Sequence, residues 1–326
     1  MRWLITGGCG FIGRNLARHL LQREGVGVRV LDNLSVGRRE DLGYAGPAVE
    51  MSLDRLEGGP EPGLELVVGD ILDAEGILRA TVGIDTVVHL AANTGVAPSV
   101  KDPRADCLTN VVGTLNCLEA ARQHGVKRFV FASSGAPVGE VDPPIHEEKV
   151  PRPVSPYGAS KLAGEGYCSA YFRTFGVETV ALRFGNVYGP GSTHKDSVVA
   201  KFIKRAQAGE PFEIYGDGGQ TRDLIYVGDL LAAIWQAATV AGIGGEVFQI
   251  ATARETTVRE LAVELLDALE SCGVPRVPVK HGPPRQGDVR RNFSDTTKAS
   301  TRLQWQAAMD LPEGLRQTIE WFTTPA

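Results

Sequence analysis

A tyrosine and a lysine stand four residues apart in the segment PYGASKLAGE, as Tyr157 and Lys161. On a helix, residues four apart lie on one face, so the phenol and the ammonium can act together. A free phenol has a pKa of about 10 and is mostly protonated at neutral pH, which makes it a poor base. A neighbouring positive charge favours the phenolate, and the pair then becomes a workable general base for an alcohol proton.

Two serines precede this pair at the end of the apolar segment RFVFASS. The apolar run predicts a buried strand, and Ser133 and Ser134 fall at its carboxyl end. Ligands of parallel sheets bind outside the carboxyl ends of the strands. We therefore expect the Ser134 hydroxyl to share a site with Tyr157, where it can orient a substrate alcohol and stabilise alkoxide character.

Three glycines follow the first apolar run at three-residue spacing, Gly7, Gly10 and Gly13 in the segment TGGCGFIG. A strand, a GxxGxxG loop and a helix form an anion-binding arrangement. The first glycine allows a tight turn, the second lets the backbone approach a pyrophosphate, and the third lets helix and strand pack closely. The helix N-terminus adds N–H groups and the positive end of its dipole. The pattern predicts a dinucleotide site.

The second apolar run ends in Asp32, at the position where the adenosine ribose of a dinucleotide would lie. Its carboxylate can accept hydrogen bonds from both ribose hydroxyls and would repel a 2′-phosphate, which favours NAD over NADP. Arg38 and Arg39 nearby soften that preference. Asp70, which ends the segment LVVGD, is a candidate neighbour of the adenine, and a solvated strand end is the alternative interpretation.

The elements that must position these residues alternate along the first half of the chain. Runs rich in Val, Ile and Leu without polar alternation indicate strands buried on both faces of a parallel sheet, and helical stretches separate them. Repeated βαβ units predict an α/β fold with a Rossmann-type doubly wound parallel sheet. Pro and Gly become frequent later, so we expect a dinucleotide-binding domain over residues 1–184, to which some later segments return, and a smaller substrate lobe over residues 185–326.

Composition and charge exclude several other classes of protein. The 326 residues carry a formal net charge of −5 with both signs interspersed, which argues against a nucleic-acid partner. The sequence has neither an apolar run of membrane-spanning length nor a signal-peptide pattern, so we expect a cytoplasmic protein without a membrane partner. The five cysteines and six histidines lack metal-ligand spacing, which predicts no metal, and His89 is interpreted as a buried structural residue.

The segments GGCGFIG, HLAA, YGASK, LRFGNVYGPG, IYGDGGQTRD and RQGD occur in this order along nearly the whole chain. In type and order they resemble the extended short-chain dehydrogenase/reductases. Within that group the chain is similar to the NAD-dependent nucleotide-sugar epimerases and dehydratases, above all to those that act at C4 of UDP-glucose, UDP-galactose or UDP-glucuronate. The resemblance implies a catalytic triad of Ser134, Tyr157 and Lys161, NAD as the cofactor and a UDP-sugar as the substrate.

The resemblance also implies which residues contact each ligand. For NAD they are Gly7, Gly10, Phe11, Ile12, Gly13, Asp32, Asn33, Asp70, Ile71, Leu90, Ala91, Ala92, Tyr157, Lys161 and Phe184. For the UDP-sugar they are Thr94, Ser134, Tyr157, Asn186, Val199, Tyr215, Arg222, Arg285 and Asp288. The two arginines are suited to bidentate phosphate contacts, whereas Tyr215 would lie near the uracil and Asp288 near the uridine ribose.

The reaction depends on the residues that follow the triad serine. Dehydratases of the family carry Asp-Glu there and decarboxylases usually carry Glu in the second place, whereas this chain reads Ser134-Gly135-Ala136. Without those acids, 4-epimerisation through a transient 4-keto sugar is the simplest chemistry. A dehydratase, a decarboxylase, a reductase and a catalytically silent NAD-binding regulatory protein are the alternatives. Val138 replaces a tyrosine usual in the family, and we expect activity to survive that change.

The identity of the sugar rests on weaker signals. The family position that limits pocket width, often tyrosine, aligns with Asn292, which leaves room for an N-acetyl group. Candidate partners for a C6 carboxylate are Thr94, Ser192, Thr193 and Lys195, which are also ordinary polar loop residues. Glucose or glucuronate is favoured, with an N-acetylated hexose open. Relatives usually dimerise through the helices at 110–124 and 157–175, so we expect a homodimer.

Overall fold

The computed structural model describes residues 1–193, 197–284 and 290–324. The strands are β1 (Arg2–Thr6), β2 (Gly27–Asp32), β3 (Ala48–Met51), β4 (Gly63–Val68), β5 (Thr86–His89), β6 (Arg128–Ser134), β7 (Thr179–Phe184), β8 (Asn186–Tyr188), β9 (Phe212–Tyr215), β10 (Thr221–Arg222), β11 (Leu224–Tyr226), β12 (Glu246–Ile250), β13 (Thr256–Thr257) and β14 (Val279–Gly282). The α-helices are α1 (Phe11–Leu21), α2 (Ala74–Ala80), α3 (Val96–Lys101), α4 (Pro103–Cys107), α5 (Gly113–Gln123), α6 (Pro156–Phe175), α7 (Val198–Gln207), α8 (Val227–Thr239), α9 (Val258–Ser271), α10 (Thr297–Arg302) and α11 (Leu311–Thr323).

An eight-stranded sheet forms the centre, in the order β12-β7-β6-β5-β1-β2-β4-β3, and all of its neighbouring strands are parallel. From β1 the chain builds outward to β2, β3 and β4, then returns to the other side of β1 with β5. This reversal confirms the predicted doubly wound α/β fold. A crevice opens at such a switch point, between the carboxyl ends of β1 and β5, and ligands of open α/β sheets bind there.

The strand register brings the predicted ligand contacts to one edge of the sheet. Thr6, the last residue of β1, pairs with Leu31 on one side and with His89 on the other. On β6 and β7, Ser134 pairs with Phe184. The glycine loop and the triad serine therefore leave their strands at the same edge, because parallel strands present their carboxyl ends together.

Apolar side chains cover both faces of this sheet, as the runs without polar alternation predict. On one face, Trp3 and Ile5 pack with residues of α1, α8 and α10. On the other face, Leu4 and Phe131 pack with residues of α2, α5 and α6. Each fully buried large apolar side chain contributes about 1.5–3 kcal/mol relative to an exposed one. Apolar packing on both faces of the sheet thus fixes the position of the edge that carries the ligand contacts.

The later half of the chain contributes to two cores. Strand β12 joins the main sheet beside β7, whereas α7, α9 and α11 pack around a separate apolar cluster that includes Phe202, Phe212, Leu265 and Leu315. Helix α9 begins with a capping box, in which Thr257 and Glu260 bond each other's backbone N–H. The domain boundary at residue 184 stays a prediction. Within the described residues, no helix combines the length and apolarity needed to cross a bilayer.

Candidate active site

Helix α6 carries the Tyr-x-x-x-Lys pair, and its start is fixed by the preceding residues. The Ser155 side chain accepts a hydrogen bond from the Gly158 N–H at 3.1 Å, and Pro156 occupies the first helical turn. Lys161 is buried, and its Nζ donates to the Ala132 carbonyl on β6 at 2.9 Å. The same Nζ lies 6.0 Å from the centre of the Tyr157 ring. The ammonium therefore shares the predicted face with the phenol.

Ser134 meets the phenol from the end of β6. Its Oγ accepts from the Ala136 N–H at 3.2 Å, and its hydroxyl lies near enough to the Tyr157 phenol to lower the pKa of that phenol. The three residues of the predicted triad thus meet beside the carboxyl end of β6. Ser134 and Tyr157 can each offer a hydroxyl group to a substrate alcohol.

The pKa of the Tyr157 phenol is raised above its ordinary value. Burial is the main cause because it disfavours the charged phenolate, the hydrogen bond with Ser134 acts in the opposite direction, and the charge of Asp106 raises the pKa further. The phenol of the protein alone is therefore protonated at neutral pH. Positive charge close to Tyr157 would favour the phenolate that an active base needs.

His89 lies fully buried at the end of β5 and joins neighbouring elements. Its Nδ1 is hydrogen-bonded to Thr6 Oγ1 at 2.7 Å, and its Nε2 to Thr114 Oγ1 at 3.0 Å. Burial, and secondarily the charge of Lys161, lowers the pKa of His89 to about 3. A neutral imidazole held between two hydroxyl groups links β1, β5 and α5, in agreement with a structural role.

The turn between β1 and α1 leaves no room for a side chain at Gly7 or Gly13. A Cβ at Gly7, whose φ is +71°, would lie 2.8 Å from the Ala91 Cα. A Cβ at Gly13 would lie 2.5 Å from the Gly7 carbonyl oxygen. Helix α1 then begins without a side-chain cap at Gly10. Its first-turn N–H groups are available to an anion, and this close backbone suits a pyrophosphate.

Asp32 occupies the end of β2 and is held by two backbone N–H groups. Its Oδ2 accepts from Cys9 at 2.9 Å and its Oδ1 from Leu34 at 2.8 Å. Burial raises the pKa of this carboxyl, and the two hydrogen bonds act against that rise. Nearby, Asn33 Nδ2 donates to Asp70 Oδ2 at 3.0 Å. An oriented carboxylate of this kind suits the two hydroxyls of a ribose.

These groups surround one cavity of about 420 Å³. It is lined by every residue predicted to contact NAD, namely Gly7, Gly10, Phe11, Ile12, Gly13, Asp32, Asn33, Asp70, Ile71, Leu90, Ala91, Ala92, Tyr157, Lys161 and Phe184. Asp32 on β2 and Ser134 on β6 are three strand spacings apart, about 14 Å. An elongated cavity with a tight glycine turn, a ribose-accepting carboxylate at one end and hydroxyl groups at the other fits a dinucleotide.

A second cavity of about 770 Å³ adjoins the first, and the two share Asn186, Val187 and Ser197. Among the residues predicted to bind substrate, Asn186, Val199, Tyr215 and Arg222 line the second cavity, and Thr94, Ser134, Tyr157 and Asn186 line the first. The structure therefore places the described members of the two predicted sets around two adjoining cavities, and Asn186 lines both.

The other predicted residues either lie outside the described part of the chain or line neither cavity. Arg285, Asp288 and Lys195 lie outside the described residues. Asn292 is not among the residues that line either cavity, and its backbone N–H donates to Thr221 Oγ1 at 3.1 Å. Val138, at the position of the family tyrosine, is fully buried. A valine there fills core space without a hydroxyl group.

Other lining residues were not predicted from the sequence. They include Ser35, Val36, Gly37, Thr109 and Ser197 in the first cavity, and Lys201, Phe202, Glu213, Gln220 and Pro284 in the second. The Nζ of Lys201 lies 5.4 Å from the centre of the Tyr215 ring. Lys201 is the charged residue of the mostly apolar segment SVVAKFI. A charge at that position of a predicted helix was the signal that could have identified this lysine.

Comparisons with known proteins agree with this geometry. Residues 3–251 match the model of the NAD dependent epimerase/dehydratase family. The UDP-glucose 4-epimerase of Mycolicibacterium smegmatis is 40% identical over 99% of this chain and 98% of its own length. A dTDP-glucose 4,6-dehydratase of Streptomyces niveus is 34% identical over 99% and 93%. The crystal structure of Thermus thermophilus UDP-glucose 4-epimerase in complex with NAD has a TM-score of 0.83 and 38% identity, and the match covers 99% of each chain.

Proposed function

Because the chain belongs to the NAD dependent epimerase/dehydratase family, we propose that it catalyses the 4-epimerisation of a UDP-hexose or UDP-hexuronate through a transient 4-keto sugar. The candidate pairs are UDP-glucose with UDP-galactose and UDP-glucuronate with UDP-galacturonate. Relatives named as a 4-epimerase and as a 4,6-dehydratase are 40% and 34% identical to this chain. Sequence identity therefore does not decide between the two reactions, and the residues of the cavity must do so.

The distribution of acidic residues around the first cavity carries the proposal. Of the described residues that line it, the carboxylates are Asp32, at the end of β2, and Asp70, just after β4. Both lie on the far side of β1 from Ser134 and Tyr157. Removal of water across C5 and C6, or loss of a C6 carboxylate, needs a further proton-handling group beside the sugar. Epimerisation at C4 needs only the hydroxyl pair and Lys161.

The triad residues have separate tasks in this reaction. Tyr157 takes the proton of the sugar 4-OH, and Ser134, which lines the same cavity as the phenol, orients that hydroxyl. Lys161, held by the Ala132 carbonyl, keeps its charge close to Tyr157. When bound, NAD would supply the hydride acceptor at C4 and, in its oxidised form, a positive charge that favours the phenolate. The glycine loop and Asp32 would hold it.

The same residues return the sugar to the alcohol. Tyr157 retains the abstracted proton and gives it back to the 4-oxygen after the ketone has turned its other face toward the cofactor. The proton and the hydride both return to the substrate, so the net change is inversion at C4 without consumption of an oxidant or reductant. A phenol whose protonated form is favoured by burial is suited to keep that proton.

The second cavity would anchor the UDP part while the sugar turns. Arg222 and Lys201 line it and can oppose the charge of a diphosphate, and Tyr215 presents an aromatic ring to a base. Asn186, at the junction, can contact the substrate between its diphosphate and its sugar. Glucose or glucuronate remains the favoured sugar in this proposal, with an N-acetylated hexose as the alternative.

We also propose a cytoplasmic homodimer. Exposed apolar side chains occur on α6 and on the π-helical turn Leu108–Val112 between α4 and α5. They are Leu108, Val112, Tyr167 and Phe175. These elements pack against each other, so their exposed side chains can form one surface. A second copy of the chain would remove this surface from water.

Product analysis tests the reaction directly. The purified protein is incubated separately with UDP-glucose, UDP-glucuronate, UDP-N-acetylglucosamine and dTDP-glucose, without added cofactor, and the products are identified by NMR. We expect the C4 epimer of one or more UDP-sugars, with a deuterium label at C4 retained in the product. Loss of water or of carbon dioxide, a requirement for added NADPH, or loss of the label to solvent would contradict the proposal.

A further inference from the structure

Arg14 lies on α1 directly after the last glycine of the loop, and its side chain is buried. Its Nη1 donates to Asp41 Oδ1 at 2.9 Å, and its Nη2 donates to the carbonyl of Gly191. The guanidinium also lies 5.6 Å from the centre of the Trp321 ring on α11. A guanidinium stays charged across the working pH range, so these contacts do not depend on its titration.

The contact of Arg14 with Asp41 connects to the wall of the first cavity, the one proposed to hold the cofactor. Asp41, which bonds Arg14, also accepts a hydrogen bond from the Arg38 N–H at 2.9 Å. The segment just before it, residues 33–37, contributes Asn33, Ser35, Val36 and Gly37 to the wall of the first cavity. Arg14 therefore holds the end of the segment that follows β2, beside the site proposed for the adenosine ribose.

The contacts with Pro190 and Gly191 connect to the second cavity, the one proposed to hold the substrate. Asn15, next to Arg14, donates from its Nδ2 to the Pro190 carbonyl at 3.0 Å. Pro190 and Gly191 follow β8, whose residues Asn186 and Val187 line both cavities. A Cβ at position 191 would lie 2.9 Å from Arg14 Nε, and Gly191 has a φ of +88°, so the backbone approaches Arg14 in a conformation and at a distance that favour glycine.

From these contacts we propose that Arg14 and Asn15 are positioning residues. They bind the Pro190–Gly191 backbone to helix α1, and so keep Asn186 in position to contact the substrate. The inference rests on the proposed function, because it assumes that UDP occupies the second cavity. Two polar side chains at the start of α1 bond two successive carbonyls of a segment more than 170 residues away. Loosening that segment should weaken UDP binding while leaving the triad and the glycine loop intact.

The decisive experiment measures UDP affinity by calorimetry on the NAD-loaded protein, with bound NAD and thermal stability recorded for each variant. Arg14→Met keeps an unbranched apolar stem and removes the donors of the guanidinium, and Asn15→Ala removes the second bond. We expect Arg14→Met to raise the Kd of UDP about tenfold and Asn15→Ala about threefold. The KM of the sugar substrate should rise in parallel, with kcat changed less than about twofold and NAD content unchanged.

Arg18→Met is the matched control, because Arg18 lies one turn further along α1 and its guanidinium is 4.5 Å from the Tyr44 ring, away from Gly191. It should bind UDP like the wild type. An Arg14→Met protein with lower thermal stability and normal UDP affinity has lost only a structural contact, which overturns the inference. If that variant does not fold, an unchanged Kd for Asn15→Ala overturns it equally. Absence of UDP binding by the wild type would overturn the proposed substrate as well.

Discussion

The carboxylate of Glu165 and the guanidinium of Arg183 form a two-point ion pair inside the protein. Arg183 Nε lies 2.8 Å from Glu165 Oε1, and Nη2 lies 2.7 Å from Oε2. Ser133 donates to the same Oε1 at 2.6 Å. Glu165 stands one helical turn after Lys161 on α6, and Ser133 adjoins Ser134 on β6. The pair therefore ties together the two elements that carry the proposed triad, and joins them to β7.

Glu165→Gln should lower the free energy of unfolding by about 3 kcal/mol or more, because it leaves the Arg183 charge buried without a compensating carboxylate. Urea unfolding followed by circular dichroism gives this value. The control is Glu50→Gln, which breaks the Arg39–Glu50 pair, where both side chains are about half exposed. That change should cost less than about 1 kcal/mol. Equal losses in the two variants would contradict the importance of burial.

Tyr157→Phe should reduce kcat by about 10²- to 10⁴-fold, because it removes the hydroxyl that accepts the substrate proton. The purified variant should still contain NAD, since the glycine loop, Asp32 and Lys161 are unchanged. Product formation and the absorbance of released cofactor measure the two effects. Tyr44→Phe, which alters a tyrosine outside both cavities, should leave turnover near the wild-type value. Near-normal epimerisation by Tyr157→Phe would refute the assigned base.

Ser134→Ala should move the pH dependence of kcat/KM to higher pH. The hydrogen bond with Ser134 lowers the pKa of the Tyr157 phenol, and burial raises it. Without the bond the phenol loses its proton only at a higher pH, so activity at neutral pH falls. On the rising limb, below the apparent pKa, kcat/KM should increase about tenfold per pH unit. Ser134→Thr should restore the wild-type profile, and a shift of the alanine variant to lower pH would contradict the assignment.

Gly13→Ala should weaken NAD binding about tenfold or more, because the added Cβ would meet the Gly7 carbonyl oxygen and the Gly8 Cα, each at 2.5 Å. NAD content after purification and calorimetric titration of the stripped protein provide the measurement. Gly43→Ala is the control, because a Cβ at that exposed position has no neighbour within 4 Å. Full retention of NAD by Gly13→Ala would show that the loop does not cradle the cofactor.

The double variant Val112→Lys with Tyr167→Lys should convert a dimer into a monomer, because two charges would enter the proposed apolar interface. Light scattering after size exclusion should fall from twice the chain mass to 34.9 kDa. Val49→Lys on strand β3 at the sheet edge, where Val49 is 63% exposed, should leave the mass of the assembly unchanged. A monomeric wild-type protein, or a dimer that survives the double change, would exclude this surface.

Much of the first cavity was predictable from short segments. Gly7, Gly10 and Gly13 come just after strand β1 in the sequence, and Tyr157 and Lys161 lie on one helix. Local spacing therefore determines their relative positions. Ser197, which lines both cavities, and Lys201, which lines the second, were not predictable in this way, because their positions depend on the packing of α7 in the separate apolar cluster that contains Phe202. The proposed width of the sugar pocket at Asn292 also depended on alignment with relatives, and that residue lines neither cavity.

The sequence by itself determined the doubly wound α/β fold, the family and the residue types of the proposed triad, because strand patterns, the glycine turn and helical spacing act over a few residues. Only the tertiary structure decided the direction in which the pKa of Tyr157 shifts, since burial and the neighbours Ser134 and Asp106 come from separate elements. It alone also decided that Arg14 reaches Gly191. Desolvation and long-range hydrogen bonds depend on which segments meet after the chain has folded, and no local pattern encodes them.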